Sequence, residues 1–252
     1  MSYERELALA HQWCDETDAI ALDYFTAGAL TEIKADGTPV TAGDRAVERA
    51  LRRSIESAFP TDAVLGEEEG LAGRSDRRWI LDPIDGTKNY ARGVPVFATL
   101  LALQEQEETV VGMVSAPALG TRWWASRGDG AHASGTIVRV SSVASIAESH
   151  LITGGVDWAG DRADALVALL ARAKRHRGFG DFWGHMLVAQ GSAEAMIELA
   201  PLAVWDIAAP KIIVEEAGGR VSALDGGDAG GGGAVVSSNG AVHDDILAAL
   251  SG

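Results

Sequence analysis

Residues Trp79-Ile80-Leu81-Asp82-Pro83-Ile84-Asp85-Gly86-Thr87-Lys88-Asn89 constrain this chain more than any other stretch. Three apolar residues run straight into two aspartates and then a Gly-Thr turn. The pattern reads as a buried strand that ends in a pair of carboxylates. Burying one carboxylate costs free energy, and two close together repel. With no Lys or Arg between Trp79 and Thr87, a cation from outside has to lie between them, and hard metal ions prefer oxygen ligands. The plainer alternative is a strand followed by an Asx-type turn with solvated aspartates.

Two further acid sites weigh against that alternative. Val64-Leu65-Gly66-Glu67-Glu68-Glu69 reads as a short apolar strand ending in acids. Val204-Trp205-Asp206-Ile207-Ala208-Ala209-Pro210 places one aspartate at the start of an apolar helix, where an N-cap is the ordinary role. Together the three sites offer enough oxygens for two or three small divalent cations.

Gly-Glu-Glu at 66–68, the Asp-Pro-Ile-Asp-Gly-Thr-Lys-Asn string at 82–89 and Trp-Asp-Ile-Ala-Ala at 205–209, in this order, resemble the inositol monophosphatase superfamily. The resemblance runs from about Leu7 to the last helix. It implies a magnesium-dependent phosphomonoesterase with an α-β-α-β-α sandwich of two tightly joined halves, and a homodimer.

The 252 residues suffice for one large domain or two joined halves. Hydrophobic residues make up 47%, enough for a sizeable core. The formal charge of -15 argues against binding nucleic acid or a membrane surface, which takes a basic patch. It would also repel a phosphorylated metabolite unless cations invert the local field, and it suits a substrate whose remainder is cationic. Cys14 is the single cysteine, so an internal disulfide is excluded. With no run of transmembrane length and no signal peptide at the start, a cytoplasmic bacterial enzyme is expected.

Leu7, Ala10, Cys14, Thr17, Ala21 and Tyr24 recur at helical spacing and predict a first helix over residues 3–27. Glu32-Ile33-Lys34 and the residues to Pro39 predict a short strand or turn and a flexible loop, with Lys34 solvated. Thr41 is expected to cap a second helix, with Asp44 completing a capping box and Val47, Leu51 and Ile55 on one face. Strands are predicted at Ala63–Leu65, Trp79–Leu81, Ala98–Leu103, Val110–Ala116, Arg122–Ala125, Val138–Val140, His150–Thr153, Arg175–Gly178, Ala195–Leu199, Arg220–Leu224 and Val235–Ser238. Helices are predicted at Asp161–Ala173, Phe182–Gln190, Trp205–Ala217 and His243–Leu250. The glycine run between Asp225 and Gly233 reads as a hairpin loop. This order predicts an α/β (α+β layered) fold with a seam near residue 140, dividing 1–140 from 141–252.

The resemblance assigns roles residue by residue. Glu67, Asp82 and the Ile84 carbonyl would bind a first metal ion. Asp82, Asp85 and Asp206 would bind a second, and a third would use Glu67. The ions would be Mg2+, with Mn2+ as a possible substitute. Gly86 and Thr87 would offer backbone N–H groups to the phosphate, as a helix start does. The Thr87 hydroxyl would pair with Asp44, and Glu67 with Thr87 would orient or deprotonate the attacking water. Glu68 would support the site, with Glu69 facing solvent.

The alcohol part of the substrate would meet Asp85, Asp181, Glu198 and Asp206. Inositol phosphatases carry a glutamate seven positions before the Trp-Asp aspartate. Leu199 stands there, with Glu198 one further back, and a one-residue bulge near Ala200-Pro201 could bring Glu198 into place. Gly180-Asp181-Phe182-Trp183, Arg92–Val96 and Ser115–Ala118 with Arg122–Ala125 resemble the actinobacterial histidinol-phosphate phosphatases of this superfamily, enzymes of histidine biosynthesis. L-Histidinol phosphate is therefore the leading substrate. Inositol 1-phosphate follows, then fructose 1,6-bisphosphate or a nucleotide phosphate, and a non-catalytic regulator is the reading from another class. Asp181 as a simple N-cap, His185 as a packed histidine, and Trp123, Trp124, Trp158 and Trp183 as core or interface are the ordinary alternatives.

Overall fold

Amphipathic helices at the start of the chain and continuously apolar strands in its middle stack into five layers. The computed structural model describes residues 2–28, 31–33 and 39–251; Lys34 and the loop expected after it, up to residue 38, lie outside the described residues. The elements are α1 (Glu4–Ala27), β1 (Thr31–Ile33), β2 (Pro39–Thr41), α2 (Ala42–Ala58), β3 (Ala63–Gly66), β4 (Gly70–Ala72), β5 (Arg77–Asp85), α3 (Thr87–Ala91), β6 (Ala98–Glu105), β7 (Glu108–Ala116) and β8 (Thr121–Ser126). They continue with β9 (Gly130–Ala133), β10 (Thr136–Val138), β11 (His150–Thr153), α4 (Ala163–Arg172), β12 (Arg175–Gly178), α5 (Asp181–Ala189), β13 (Ala195–Leu202), α6 (Val204–Glu216), β14 (Arg220–Ala223), β15 (Gly233–Ser238) and α7 (His243–Leu250).

An eight-stranded sheet runs in the order β10-β9-β8-β7-β6-β5-β3-β4. It is an antiparallel meander from β5 to β10, with β3 parallel to β5. Its central strands alternate between two apolar faces. Trp79, Leu81, Leu101 and Leu103 pack on Trp13, Leu51 and Ile55 of α1 and α2. Ile80, Leu100, Ala102 and Val114 face the opposite way, onto Phe182 and Met186 of α5 and Ile207 and Ile212 of α6. This period of two, apolar on both sides, is what a sheet covered on both faces requires. A five-stranded sheet, β12-β11-β13-β15-β14, follows beyond α5 and α6. Its outer face packs on α4 and α7 through Leu166, Leu169, Ile246 and Leu250. The layers are thus α, β, α, β, α.

Close approach fixes how α6 lies on the first sheet. A Cβ at Gly112 would sit 2.8 Å from the Ala209 carbonyl oxygen, so the helix seats where β7 has no side chain. At the start of α2, Thr41 and Asp44 form the expected capping box. No helix among the described residues is long and apolar enough to cross a membrane.

Several elements differ from expectation. The strand read as ending at Leu81 continues to Asp85, with a register irregularity between Asp82 and Asp85 that absorbs Pro83. β2, β4 and β9 had no signal: they are short or built of Gly, Ala and His, and pairing rather than propensity makes them strands. The strand expected at 138–140 lies at Thr136–Val138, where it pairs with β9. Trp13 joins the buried face of α1, whereas Tyr24 is exposed.

Two buried histidines sit in the second half. His185 lies 2.7 Å from the Ser237 hydroxyl, and His243 bridges Ser222 and Ser238 at 2.8 Å each. Burial pulls both down to about 4. Neutral in the fold but protonated when unfolded, they contribute stability above about pH 6.5 that is lost as pH falls toward 4. For the fully buried His185 the loss is about 3 kcal/mol. The fall in Tm between pH 7 and 4.5 should therefore be smaller in His185→Gln than in the parent; equal slopes would contradict this.

Candidate active site

The C-terminal end of β5 delivers two carboxylates to the boundary between the sheets. Asp82 is 2% exposed and Asp85 9%. Asp82 Oδ1 accepts the Ile84 backbone N–H at 3.0 Å, a local turn bond that aims it. Asp206 arrives from α6. It is the third residue of that helix rather than its N-cap, and its Oδ2 accepts the Ala203 N–H at 2.6 Å. One oxygen from each of Asp82, Asp85 and Asp206 lies within 4.8 Å of the others.

Such a cluster is electrostatically costly on its own. The Asp82 carboxyl is driven well up by burial and then by the charges of Glu67, Asp85 and Asp206. Asp85 is driven up likewise, by burial and by Asp181 and Asp206. An all-oxygen set of mutually repelling carboxylates is the donor chemistry that a hard dication satisfies.

A cavity of about 470 Å³ opens over the cluster. Glu67, Ile84, Gly86 and Thr87 line it together with the three aspartates, as expected. Gly86 adopts a left-handed φ of 82°, and a Cβ there would stand 3.0 Å from the Val96 carbonyl oxygen. The Thr87 hydroxyl is 2.9 Å from the Ile84 carbonyl and 3.4 Å from Asp44 Oδ1, so the expected Thr87–Asp44 pair is present but is the longer of the two contacts. Asp44 itself is fully buried outside the cavity lining; its other oxygen takes the Thr41 N–H at 2.8 Å and the Thr41 hydroxyl at 2.6 Å.

The opposite wall comes from the second half. Glu198 lines the cavity, and β13 has a register irregularity between Glu198 and Leu202, where the bulge was expected. Its carboxylate lies against Gly154, where a Cβ would overlap it, and against Gly180. Burial pushes Glu198 up to about 7. Asp181 is not an N-cap. It is the first residue of α5, at a left-handed φ of 58°, and the helix start is held from across the boundary by Asp85 Oδ2, which accepts the Phe182 N–H at 2.6 Å. Asp181 Oδ2 accepts from the Asn89 amide at 3.1 Å. Its carboxyl, open to the cavity yet enclosed by its walls, is pushed up by that enclosure and partly restored by Lys88 and Asn89.

Trp158, weighed as core or interface, is 59% exposed and lines the cavity. Asn89 and Lys88 also line it, beside the acidic string. Asn89 stood in that string without an assigned role, and no periodicity marks Trp158. Trp123 is buried, and Trp183 packs edge-on against Phe179.

A model of the inositol monophosphatase family matches residues 3–252. The chain belongs to the inositol monophosphatase family. As a member it is a phosphoric monoester hydrolase. It is 44% identical to the histidinol-phosphatase of Streptomyces coelicolor over 261 aligned positions, covering 99% of this chain and 98% of the relative. It is also 44% identical to the histidinol-phosphatase of Mycobacterium tuberculosis, covering 100% and 99%. The solved structure of a Thermotoga maritima IMPase superposes with a TM-score of 0.90 at 32% identity, covering 98% of this chain and 97% of that one.

Because Asp82, Asp85 and Asp206 repel one another, Asp82→Asn should raise the Tm of EDTA-treated protein by about 2–4 °C, the yield of roughly 1 kcal/mol in a chain this long. The amide oxygen still accepts the Ile84 N–H. An unchanged or lower Tm in differential scanning calorimetry would contradict the repulsion.

Proposed function

We propose that this chain is a Mg2+-dependent phosphomonoesterase that hydrolyses L-histidinol phosphate to L-histidinol and phosphate, a step of histidine biosynthesis. The observation that carries the substrate is the cavity wall facing the aspartate cluster. Asp181, Glu198 and the exposed Trp158 ring line it, and acids beside an aromatic face suit an ammonium and an imidazole. The names of the two 44%-identical relatives support the same substrate. Inositol 1-phosphate is the second reading, favoured by the presence of Glu198 in the cavity.

In this proposal Glu67, Asp82, Asp85, Asp206 and the Ile84 carbonyl hold two or three Mg2+ ions, with Mn2+ as a substitute. When bound, the ions supply Lewis-acid stabilisation of charge on the phosphoryl group and help to activate water. Gly86 and Thr87 N–H groups hold phosphate oxygens. The Thr87 hydroxyl, steadied by Ile84 and Asp44, orients the attacking water, and Glu67 accepts its proton. The water oxygen forms a new bond to phosphorus as the ester P–O bond breaks, and the alcohol leaves with a proton from solvent. No serine or cysteine lines the cavity among the described residues, in keeping with direct displacement. Asp85, Asp181, Glu198 and Asp206 meet the alcohol. Halves at 1–140 and 141–252, a homodimer and a cytoplasmic location complete the proposal.

Phosphate release from L-histidinol phosphate, inositol 1-phosphate and fructose 1,6-bisphosphate, each with Mg2+ or EDTA, tests this directly. Activity should need Mg2+ and favour the histidinol ester; a preference for the inositol ester would sink the substrate assignment. Asp181→Asn tolerates the left-handed backbone and can keep a contact to Asn89. It should raise KM for L-histidinol phosphate by about tenfold while sparing a neutral ester. An equal effect on both esters would remove Asp181 from recognition.

A further inference from the structure

A buried ion pair lies behind the turn that carries Glu67, outside the cavity. Glu48 of α2 is fully buried, and Arg52 one turn later is 7% exposed. Glu48 Oε2 accepts the Glu68 N–H at 2.8 Å, and Oε1 accepts the Glu69 N–H at 3.0 Å. Oε1 also takes the Arg52 Nε–H at 2.8 Å. The Arg52 guanidinium in turn donates to the Gly70 carbonyl at 2.5 Å and lies 3.6 Å from the Glu69 carboxylate. The pair therefore grips the backbone of three consecutive residues, 68 to 70. On the near side of Glu67, a Cβ at Gly66 would overlap the Glu48 carboxylate, so β3 passes this close only as glycine. The Glu67 N–H is tied to the Leu81 carbonyl of β5 at 3.2 Å.

Buried ion pairs are weak stabilisers, because desolvation offsets most of their attraction. This one spends its hydrogen bonds on the backbone of the turn rather than on the core. We propose that Glu48 is a positioning residue: through Arg52 and the 68–70 backbone it fixes where Glu67 presents its carboxylate, and so sets the affinity of the site for Mg2+. This rests on the reading of Glu67 as a metal ligand. Residues that orient a metal's ligands characteristically change its affinity by about 10–100-fold when altered.

The test is isothermal titration calorimetry with MgCl2 on Glu48→Gln, Glu67→Gln and the parent, with melting curves in EDTA. Glu48→Gln replaces one acceptor oxygen by an NH2 that faces donors, so the grip on the turn is lost. It should weaken Mg2+ binding by about tenfold or more, and excess MgCl2 should restore kcat without changing KM for the ester. The double variant Glu48→Met, Arg52→Met keeps apolar volume and removes both charges, and it takes the place of the single variant should that one fail to fold. It should weaken Mg2+ binding as much. If either folded variant binds Mg2+ within twofold of the parent while Glu67→Gln does not, the pair only supports the fold and the proposal is overturned. If Glu67→Gln itself binds Mg2+ like the parent, the reading of Glu67 fails and the proposal falls with it.

Discussion

Carboxylate repulsion at the junction of two sheets is the constraint on which the site depends. Asp82 and Asp85 are almost sealed from water, and Asp206 brings a third charge within 4.8 Å. No fold gains stability from such an arrangement alone, since burial and proximity both penalise the charged forms. The surrounding architecture holds the three in place nonetheless. β5 is clamped between two apolar layers, α6 is seated on Gly112, and each aspartate is aimed by a backbone N–H: Ile84 for Asp82, Phe182 for Asp85 and Ala203 for Asp206.

The same contacts join the two parts of the chain. Asp85 belongs to the eight-stranded sheet yet its carboxylate holds the start of α5, and Asn89 reaches Asp181 across the same gap. One apolar cluster runs from Ile80 through Phe182 to Val235 and spans both sheets. A displacement of one part against the other would therefore separate the acids as well as unpack the core. The geometry of the cavity and the integrity of the central layer are one structural property.

Much of this was legible from residues alone because the acidic string is local. Asp82 to Thr87 are contiguous, and the apolar run before them marks a buried strand. The Thr41–Asp44 box and the helical spacing of α1 and α2 are local signals. The parts that were not legible depend on distant pairing. β9 has no strand propensity of its own and exists because β8 and β10 flank it. Asp181 resembles an N-cap by position, but the Phe182 N–H of the helix start is taken by Asp85, 97 residues before Phe182 in the chain. Trp158 has no pattern around it, and only the fold brings it to the cavity beside Gly154 and Gly155.

The central claim is that carboxylates from distant parts of the chain share a hard dication. Crystals grown with MnCl2, with diffraction recorded on both sides of the manganese absorption edge, test it most directly. Anomalous peaks are expected between the carboxylates of Asp82, Asp85 and Asp206; density with no peak there, under conditions in which the enzyme turns over its ester, would contradict a shared dication.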